Sequence, residues 1–270
     1  MHSLIQASKV SSLSIENNCV IKAQDKIRRK MVQAMSSYTM IEDGDRILVA
    51  VSGGKDSSIM AILFEEIRRR AKVSFELAYV LVDQKQPGFN MTAYSRWMLD
   101  QGIKVDVIEE DTYSVVKAKT KVGKTYCGLC SRLRRGILYT YAKKHGFTKI
   151  ALGHHLDDLN ETVLMNLFYS GTMAGMPPKL KADDGYNVVI RPLCLVPERD
   201  LTSLASLLKI PLIPCNLCGS QTNMKRKMVK KLLAQLSTTN ERLPFSLLAA
   251  QKNVQPSQLM DKKLFNFEQF

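Results

Sequence analysis

Residues 46–57, RILVAVSGGKDS, are the stretch of sequence that decides the fold. Residues 47–51 are a short apolar run rich in β-branched side chains, which is typical of a strand buried on both faces. Gly53 and Gly54 follow, and a helical pattern then continues to Lys72. In a parallel sheet, the turn from a strand into a helix lies at the edge where ligands bind. The stretch therefore predicts an α/β fold with a ligand site after its first strand.

The residues of this turn have the chemistry of a phosphate-binding loop. Its two glycines let the backbone bring N–H groups close to a ligand, because they carry no Cβ. Lys55, which we expect to be exposed in the loop, adds a positive charge where the next helix points its positive end. Ser52 and Ser57 can donate hydrogen bonds to phosphate oxygens. Asp56 would repel phosphate unless a magnesium ion lay between them.

Strands and helices alternate along the rest of the chain. We predict four further strands, at residues 75–83, 104–109, 149–153 and 188–193. We predict helices at residues 23–40, 93–101, 130–146, 158–169, 198–209 and 221–236, with a loose arm over residues 1–20 and an irregular tail beyond residue 238. Strands that are apolar on both faces and alternate with helices favour a Rossmann-like parallel sheet with helices on both faces. An N-terminal helix and a C-terminal helical tail complete the predicted fold.

The charge of the chain favours a nucleic-acid partner. Thirty-nine Lys and Arg against 25 Asp and Glu leave a net charge of +14, and such a surplus attracts a polyanion. Hydrophobic residues make up 45% and charged residues 24%, which excludes a disordered or fibrous protein. We find neither a membrane-spanning apolar run nor a secretory signal, so we expect a cytoplasmic protein without a membrane partner.

Four of the six cysteines form two C-x-x-C pairs, Cys127 with Cys130 and Cys215 with Cys218. Such pairs typically bind a metal. Their spacing leaves open whether the thiolates hold a zinc ion or an iron–sulfur cluster. The pairs are too far apart for a local zinc ribbon, so the fold would have to bring them together. The helix after the first pair carries three arginines that favour a site presented to RNA: Arg132, Arg134 and Arg135.

A second polar motif follows the fourth predicted strand. Residues 153–158 read GHHLDD, and Glu161 comes three residues later. Asp157 and Asp158 would lie at a helix N-terminus, where the dipole stabilises a carboxylate by about 0.3–1 kcal/mol, so one of them can be explained as a helix cap. Two adjacent acids beside a phosphate site also favour magnesium binding or proton transfer. His154 is either a packed core histidine or a site residue.

These motifs resemble those of the PP-loop ATP pyrophosphatases. The S-G-G-x-D-S loop is similar to the PP-loop of this superfamily, whose members split ATP between the α and β phosphates and adenylate a carbonyl oxygen. The second motif is similar to the G-H-x-x-D-D-x-x-E-T stretch of its tRNA-modifying enzymes. From about Ala23 to Phe267 the chain resembles one family of these, the tRNA 2-thiocytidine synthetases. The strings CGLCSRLRRGILY at 127–139 and PCNLCGSQ at 214–221 carry this resemblance, because generic PP-loop proteins lack them.

The resemblance implies ATP-dependent thiolation of cytidine 32 in the tRNA anticodon loop to 2-thiocytidine. ATP with Mg²⁺ would adenylate the cytosine O2. A [4Fe-4S] cluster held by three thiolates would carry sulfur on its free iron, and this sulfur would displace AMP. Cys127 and Cys130 match two of the cluster ligands directly, and Cys218 is preferred to Cys215 as the third.

The resemblance also implies roles for individual residues. Asp158, Asp56 and Lys55 would be catalytic, and Gln84 would lie near the adenosine. Arg134 would contact the RNA or the adenylate. The residues expected to bind ATP are Ser52, Gly53, Gly54, Lys55, Asp56, Ser57, Asp83, Gly153 and His154.

The resemblance divides the chain into three parts and implies its partners. Residues 1–40 would be an arm and helix, residues 41–220 the PP-loop domain with the iron–sulfur site, and residues 221–270 a helix and tail. The expected partners are tRNA, a cysteine desulfurase as sulfur source, and a second copy in a homodimer, with the helix at 23–40 as contact surface.

Two other functions stay open. One is a PP-loop ligase of the lysidine synthetase kind, which uses an amine and no cluster, but it leaves the first cysteine pair unexplained. The other is an RNA-binding module with a structural zinc ion and no catalytic activity, which the intact SGGKDS loop argues against.

Overall fold

The computed structural model describes residues 2–86, 91–120, 127–213 and 222–269. The strands of these residues are β1 (Asp45–Val51), β2 (Phe75–Asp83), β3 (Val105–Glu109), β4 (Lys149–Ala151), β5 (Lys179–Lys181) and β6 (Val188–Ile190). They form one sheet in the order β3-β2-β1-β4-β6-β5, in which every neighbouring pair is parallel except β5 and β6. The predicted parallel sheet is confirmed. The edge strand β5 escapes prediction because its three residues, two of them lysine, are too few and too polar.

The helices mostly begin and end close to their predicted positions. They are α1 (His2–Ser37), α2 (Lys55–Arg70), α3 (Thr92–Asp100), α4 (Thr112–Lys119), α5 (Cys127–Lys144), α6 (Leu156–Ser170), α7 (Glu198–Leu208), α8 (Thr222–Ser237) and α9 (Leu243–Ala250), with 3₁₀ turns at Pro256–Gln258 and Phe267–Gln269. Two of them, α4 and α9, are not predicted from the sequence. Each is only eight residues long, and α9 is almost entirely apolar, so neither has a clear helical periodicity. Within the described residues, no helix is both long and apolar enough to cross a bilayer.

Alternate side chains of β1 point to opposite faces of the sheet and build two hydrophobic cores. Ile47 and Val49 pack on one face with buried residues of α1, α2, α3 and α7. Leu48 packs on the other face with Leu138 and Ala142 of α5. Helices therefore cover both faces of the sheet, which confirms the predicted fold class.

Helix α1 is longer than predicted and packs against its own chain. The sequence predicts a loose arm over residues 1–20, but α1 already runs through this segment, because its 36 residues include no glycine or proline to interrupt it. Ile27 and Met31 are fully buried, and Lys26 Nζ lies 2.7 Å from a carboxylate oxygen of Asp200 in α7. The helix predicted to contact a second copy therefore uses its apolar face within the chain.

The order of the strands opens a cleft beside β1. Strands β2 and β3 lie on one side of β1, whereas β4 and β6 lie on the other. The connections that leave β1 and β4 therefore diverge at the carboxyl ends of these two neighbouring strands. The glycine loop follows β1 and the GHHLDD motif follows β4, so the fold brings both motifs to this cleft.

Candidate active site

The glycine loop makes a tight turn between β1 and α2. Gly53 has a φ of +76°, in the left-handed region that glycine adopts without strain. A Cβ on Gly53 would lie 2.7 Å from the side chain of Ile213, whose N–H donates to the Gly53 carbonyl at 3.0 Å. Glycine at this position therefore allows both the turn and the close approach of the chain at Ile213.

The two serines predicted to bind phosphate also hold the loop together. Ser57 Oγ accepts from the Ser52 N–H at 3.0 Å and donates to the Gly54 carbonyl at 3.2 Å. The Ser52 hydroxyl oxygen lies 3.0 Å from that of Ser57. Both residues line the cavity described below, so the hydroxyl groups that shape the loop also face the ligand site.

Gly153 brings the second motif against the loop. A Cβ on this residue would lie 3.0 Å from the backbone nitrogen of Ser57. Backbone atoms give way less easily than a flexible side chain, so glycine lets the carboxyl end of β4 pass beside the start of α2 without crowding. The glycine loop and the GHHLDD motif are therefore in direct contact.

A cavity of about 400 Å³ opens at the cleft between β1 and β4, within the size range of small-ligand sites. The predicted site residues that line it are Ser52, Asp56, Ser57, Gln84, Cys130, Arg134, Gly153, His154 and Asp158. Other predicted site residues that the structure describes lie outside the lining, namely Gly53, Gly54, Lys55, Asp83, Arg132 and Arg135. The fold thus gathers residues from the glycine loop, α5 and the GHHLDD motif around one cavity.

Asp56 is a partly buried carboxylate without a full set of hydrogen bonds. Its Oδ2 atom accepts from Lys55 Nζ at 3.2 Å. The other oxygen, Oδ1, is buried and accepts no hydrogen bond from the described residues, although Lys55 Nζ is also 3.2 Å from it. Burial raises the pKa of Asp56, although His155 and Lys55 act in the opposite direction. Such an oxygen suits Mg²⁺, which binds through one or two carboxylates together with phosphate oxygens.

Lys55 is the first residue of α2 and is held by two carboxylates. Besides its contact with Asp56, Lys55 Nζ donates to Glu198 Oε1 at 3.3 Å. The other oxygen of Glu198 accepts from Lys230 Nζ at 2.5 Å. Burial alone would lower the pKa of Lys55, but Asp56 and Glu198 outweigh it and raise this pKa. The expectation of an exposed loop lysine is therefore wrong, because Lys55 is partly buried and paired.

The two aspartates of the GHHLDD motif have different partners. Asp157 accepts from the Glu198 N–H at 2.6 Å and so joins α6 to the start of α7. Asp158 accepts from the His155 N–H at 3.0 Å, which caps α6, and its other oxygen pairs with Arg226 of α8. Asp157 is thus a structural link between helices, whereas Asp158 is both a helix cap and a residue of the cavity.

The two histidines of this motif have pKa values shifted in opposite directions. Burial lowers the pKa of His154 to about 4, so its imidazole is uncharged at neutral pH. Burial would lower the pKa of His155 too, but Asp157 and Asp158 outweigh it and raise this pKa. His154 lines the cavity, and its buried Nδ1 atom has no hydrogen-bond partner among the described residues. A ligand in the cavity can supply that partner.

Cys130 of the first cysteine pair lies in the first turn of α5, beside the same cavity. Cys130 Sγ donates to Gln84 Oε1 at 3.3 Å, and both residues line the cavity. Arg134 follows one turn later on α5 and lines it too. The other predicted thiolates lie outside the described side chains, namely Cys127, Cys215 and Cys218. Within the described part of the chain, no three His, Cys, Asp or Glu side chains converge as a metal site.

Three of the predicted site residues outside the cavity lining either form hydrogen bonds within their own segment or face solvent. Asp83 accepts from the Lys85 N–H at 2.7 Å, while its neighbour Gln84 lines the cavity instead. Arg132 donates to a carbonyl of its own helix at 3.3 Å, and Arg135 is exposed. Asp83 and Gln84 differ because they are successive residues at the end of β2, where neighbouring side chains point to opposite sides of the sheet.

Sequence patterns do not reveal Glu198 and Arg226 as partners of the predicted site residues Lys55 and Asp158. Arg226 Nε donates to Glu161 Oε2 at 2.6 Å, and its guanidinium also pairs with Asp158. Both unpredicted residues lie far along the chain from their partners. The one available signal is the spacing of Arg226 and Lys230, which places two cations on one face of α8.

The chain is similar to proteins of known name. The profile of the PP-loop domain family matches residues 23–235. A tRNA-cytidine(32) 2-sulfurtransferase from Bdellovibrio bacteriovorus is 50% identical over 243 residues, covering 90% of this chain and 93% of that protein. A protein of the same name from Pseudomonas putida is 47% identical over 258 residues, covering 96% of this chain and 93% of that protein. Another protein of this name, from Coxiella burnetii, is 46% identical over 251 residues, covering 92% of this chain and 98% of that protein.

A solved structure shares the fold. The U34-tRNA thiolase NcsA from Methanococcus maripaludis, determined with its [4Fe-4S] cluster, has a TM-score of 0.69 at 22% identity, over 87% of this chain and 78% of that chain. The family profile covers most of this chain, and relatives that are 46–50% identical cover nearly all of it. The chain therefore belongs to the tRNA-cytidine(32) 2-sulfurtransferase family of PP-loop proteins.

Proposed function

We propose that the protein catalyses the ATP-dependent thiolation of cytidine 32 in the tRNA anticodon loop to 2-thiocytidine. The names of its relatives describe this type of reaction. The observation that carries the proposal is that Asp56 of the PP-loop, Asp158 and the cysteine Cys130 line one cavity. The oxygen is activated and then replaced by sulfur on the same base. The residues that bind ATP and the cysteines that hold the sulfur carrier therefore have to face the same cavity.

ATP supplies the activation step. The N-terminus of α2 and the N–H groups of the glycine loop suit the phosphates, and Asp56 and Asp158 would hold Mg²⁺ against them. The cytosine O2 attacks the α-phosphorus, the bond from this phosphorus to the bridging oxygen breaks, and pyrophosphate leaves with the electron pair. Lys55 and Arg134 would stabilise the negative charge that develops. Asp158 assists the nucleophilic step.

The described part of the cluster site fits an iron–sulfur group. Cys130 is a partly exposed thiol whose hydrogen bond to Gln84 is a weak one, at 3.3 Å, and it lines the cavity. Thiolate sulfur is the usual protein ligand of such clusters. With Cys127 and Cys218, and with Cys215 as the alternative third ligand, Cys130 would hold a [4Fe-4S] cluster. When bound, this group supplies the sulfur that replaces the adenylated oxygen.

The tRNA would contact the positive surface around the cavity. Helices α5 and α8 each carry five Lys or Arg residues and no Asp or Glu. Arg134 lines the cavity, and Arg132 and Arg135 are exposed on the same helix. Arginines in this arrangement suit phosphate contacts that position an RNA. A cysteine desulfurase as sulfur source, a homodimer and a cytoplasmic location belong to the same proposal.

The test is thiolation in vitro in the absence of oxygen. We expect the full-length protein, reconstituted with iron and sulfide and supplied with ATP, Mg²⁺, sulfide and tRNA, to be brown and to form 2-thiocytidine. Mass spectrometry of digested tRNA detects this nucleoside. Cys130→Ser should abolish the product and lower the bound iron, because it removes a proposed ligand. Cys19→Ser changes an exposed cysteine of α1. This control variant should retain both the formation of 2-thiocytidine and the bound iron.

Two outcomes would favour the other functions. Full activity after all four paired cysteines become serine would favour a PP-loop ligase that uses no cluster. A colourless protein that holds stoichiometric zinc and turns over no ATP would favour an RNA-binding module.

A further inference from the structure

Glu198 pairs with Lys55, the lysine of the PP-loop. Lys55 Nζ lies 3.3 Å from Glu198 Oε1 and 3.2 Å from Asp56 Oδ2. In this arrangement Asp56 lines the cavity, but Lys55 does not. The ammonium group therefore contacts two protein carboxylates and does not line the cavity.

Several contacts hold Glu198 in place. Its N–H donates to Asp157 at 2.6 Å, and its Oε2 atom accepts from Lys230 Nζ at 2.5 Å. Glu198 is also the first residue of α7, where the helix dipole stabilises a negative charge. Burial alone would raise the pKa of Glu198, but Lys230 and Lys55 outweigh it and lower this pKa. Glu198 is thus a charged group that stays in place when the flexible side chain of Lys55 moves.

We propose that Glu198 is a positioning residue that pairs with Lys55 and thereby limits the affinity of the PP-loop for ATP and pyrophosphate. This inference rests on the proposed function, because it assumes that the PP-loop binds ATP. When ATP binds, Lys55 exchanges the Glu198 carboxylate for a phosphate oxygen. When pyrophosphate has formed, the return of Lys55 to Glu198 favours its release. The negative charge of Glu198 also repels phosphate directly.

The direction of the change in affinity tests this role. In calorimetric titrations of the full-length protein with ATP and Mg²⁺, without tRNA, we expect Glu198→Gln to bind ATP about three- to tenfold more tightly than the wild type. Pyrophosphate should bind more tightly by a similar factor. Loss of a merely structural contact would weaken binding, so a gain in affinity separates the two explanations. Glu198→Asp keeps the charge and should restore an affinity within about twofold of the wild type.

Steady-state kinetics gives a second measure. Glu198→Gln should lower the KM for ATP without raising kcat, because the variant also retains pyrophosphate. Asp200→Asn is the matched control, since it removes the same charge from the same helix and Asp200 pairs with Lys26 of α1, at 2.7 Å, and not with Lys55. This control should change the affinity for ATP by less than about twofold.

The outcomes are distinguishable. If the wild type binds ATP and Glu198→Gln binds it equally or more weakly, the inference is wrong and the proposed function stands. If the wild type binds no ATP, the proposed function is wrong and the inference falls with it. If Glu198→Gln does not fold, Glu198→Ala decides, because it removes the same carboxylate from Lys55. Tighter ATP binding by that variant supports the inference, and equal or weaker binding overturns it.

Discussion

Arg226 of α8 and Glu161 of α6 form an ion pair in which Nε and Oε2 are 2.6 Å apart. The side chain of Glu161 is only 5% exposed, and the same guanidinium also contacts Asp158 of the cavity. The planar guanidinium thus pairs with two carboxylates at once. A lysine ammonium group would hold two carboxylates less well, because it lacks the fixed fork of N–H donors. Helix α8 begins four residues after Cys218, so this pair anchors the helix that follows the second cysteine pair.

We expect Arg226→Gln to lower the free energy of unfolding by about 1–3 kcal/mol, because it leaves the buried carboxylate of Glu161 without this partner. Arg226→Lys should recover part of the loss, since it keeps the charge but not the planar fork. Urea unfolding measures both changes. Lys227→Gln removes the same charge from an exposed neighbour and should change the free energy of unfolding by less than about 0.5 kcal/mol. Equal losses in the Gln variants of Arg226 and Lys227 would contradict the role of the pair.

Gly153→Ala should weaken ATP binding and destabilise the fold by about 1–3 kcal/mol, because its Cβ would meet the backbone of Ser57 at 3.0 Å. ATP titration and thermal unfolding measure the two effects. Gly136→Ala is the control, since a Cβ on Gly136 meets no atom within 4 Å and alanine favours a helix. We expect that variant to be at least as stable as the wild type. Normal ATP binding by Gly153→Ala would mean that the two motifs need not touch.

The stability of the protein should fall in acid partly through Asp45, whose Oδ2 atom lies 2.5 Å from Lys149 Nζ. Burial alone would raise the pKa of Asp45, but hydrogen bonds from Lys149, the Glu42 N–H and Thr148 outweigh it and hold this pKa below its ordinary value of 3.8. A carboxyl group with a lowered pKa stabilises the fold above its unfolded pKa and loses this contribution as the pH falls through its folded pKa.

We therefore expect Asp45→Asn to lower the free energy of unfolding at neutral pH and to have progressively less effect below the ordinary value of 3.8. Urea unfolding of the cluster-free protein over a pH series measures the difference between variant and wild type. Glu76→Gln removes an exposed carboxylate and should have little effect at any pH. A difference for Asp45→Asn that stayed constant through the acid range would argue against this role.

Arg134 and Arg135 are neighbours on α5, but only Arg134 lines the cavity. Substitution of either by Gln should remove about one phosphate contact and reduce the slope of log affinity for tRNA against log salt by about 1. Only Arg134→Gln should also slow thiolation at saturating tRNA, because only Arg134 reaches the reacting groups. Filter binding in a salt series and mass spectrometry of the product measure the two properties. An equal loss of thiolation rate in both variants would disprove the prediction that only Arg134 acts on the reaction.

Local patterns were enough to locate the elements that carry the chemistry. The apolar run at residues 47–51 and the glycines after it predict β1 and the PP-loop, because periodicity and backbone freedom act between near neighbours in the chain. The sequence therefore determined the parallel sheet with its helices, the position of the cavity beside β1 and, through the resemblance of its long motifs, the family to which the chain belongs.

Only the tertiary structure decided how these residues are paired. It turns Gln84 rather than Asp83 to the cavity, places Lys55 against Glu198 instead of leaving it exposed, and brings Arg226 to Glu161. Each of these contacts joins residues far apart in sequence or depends on the direction of a side chain at the end of a strand. Such contacts follow from the packing of the whole sheet and its helices, so they leave no periodic signal in the chain.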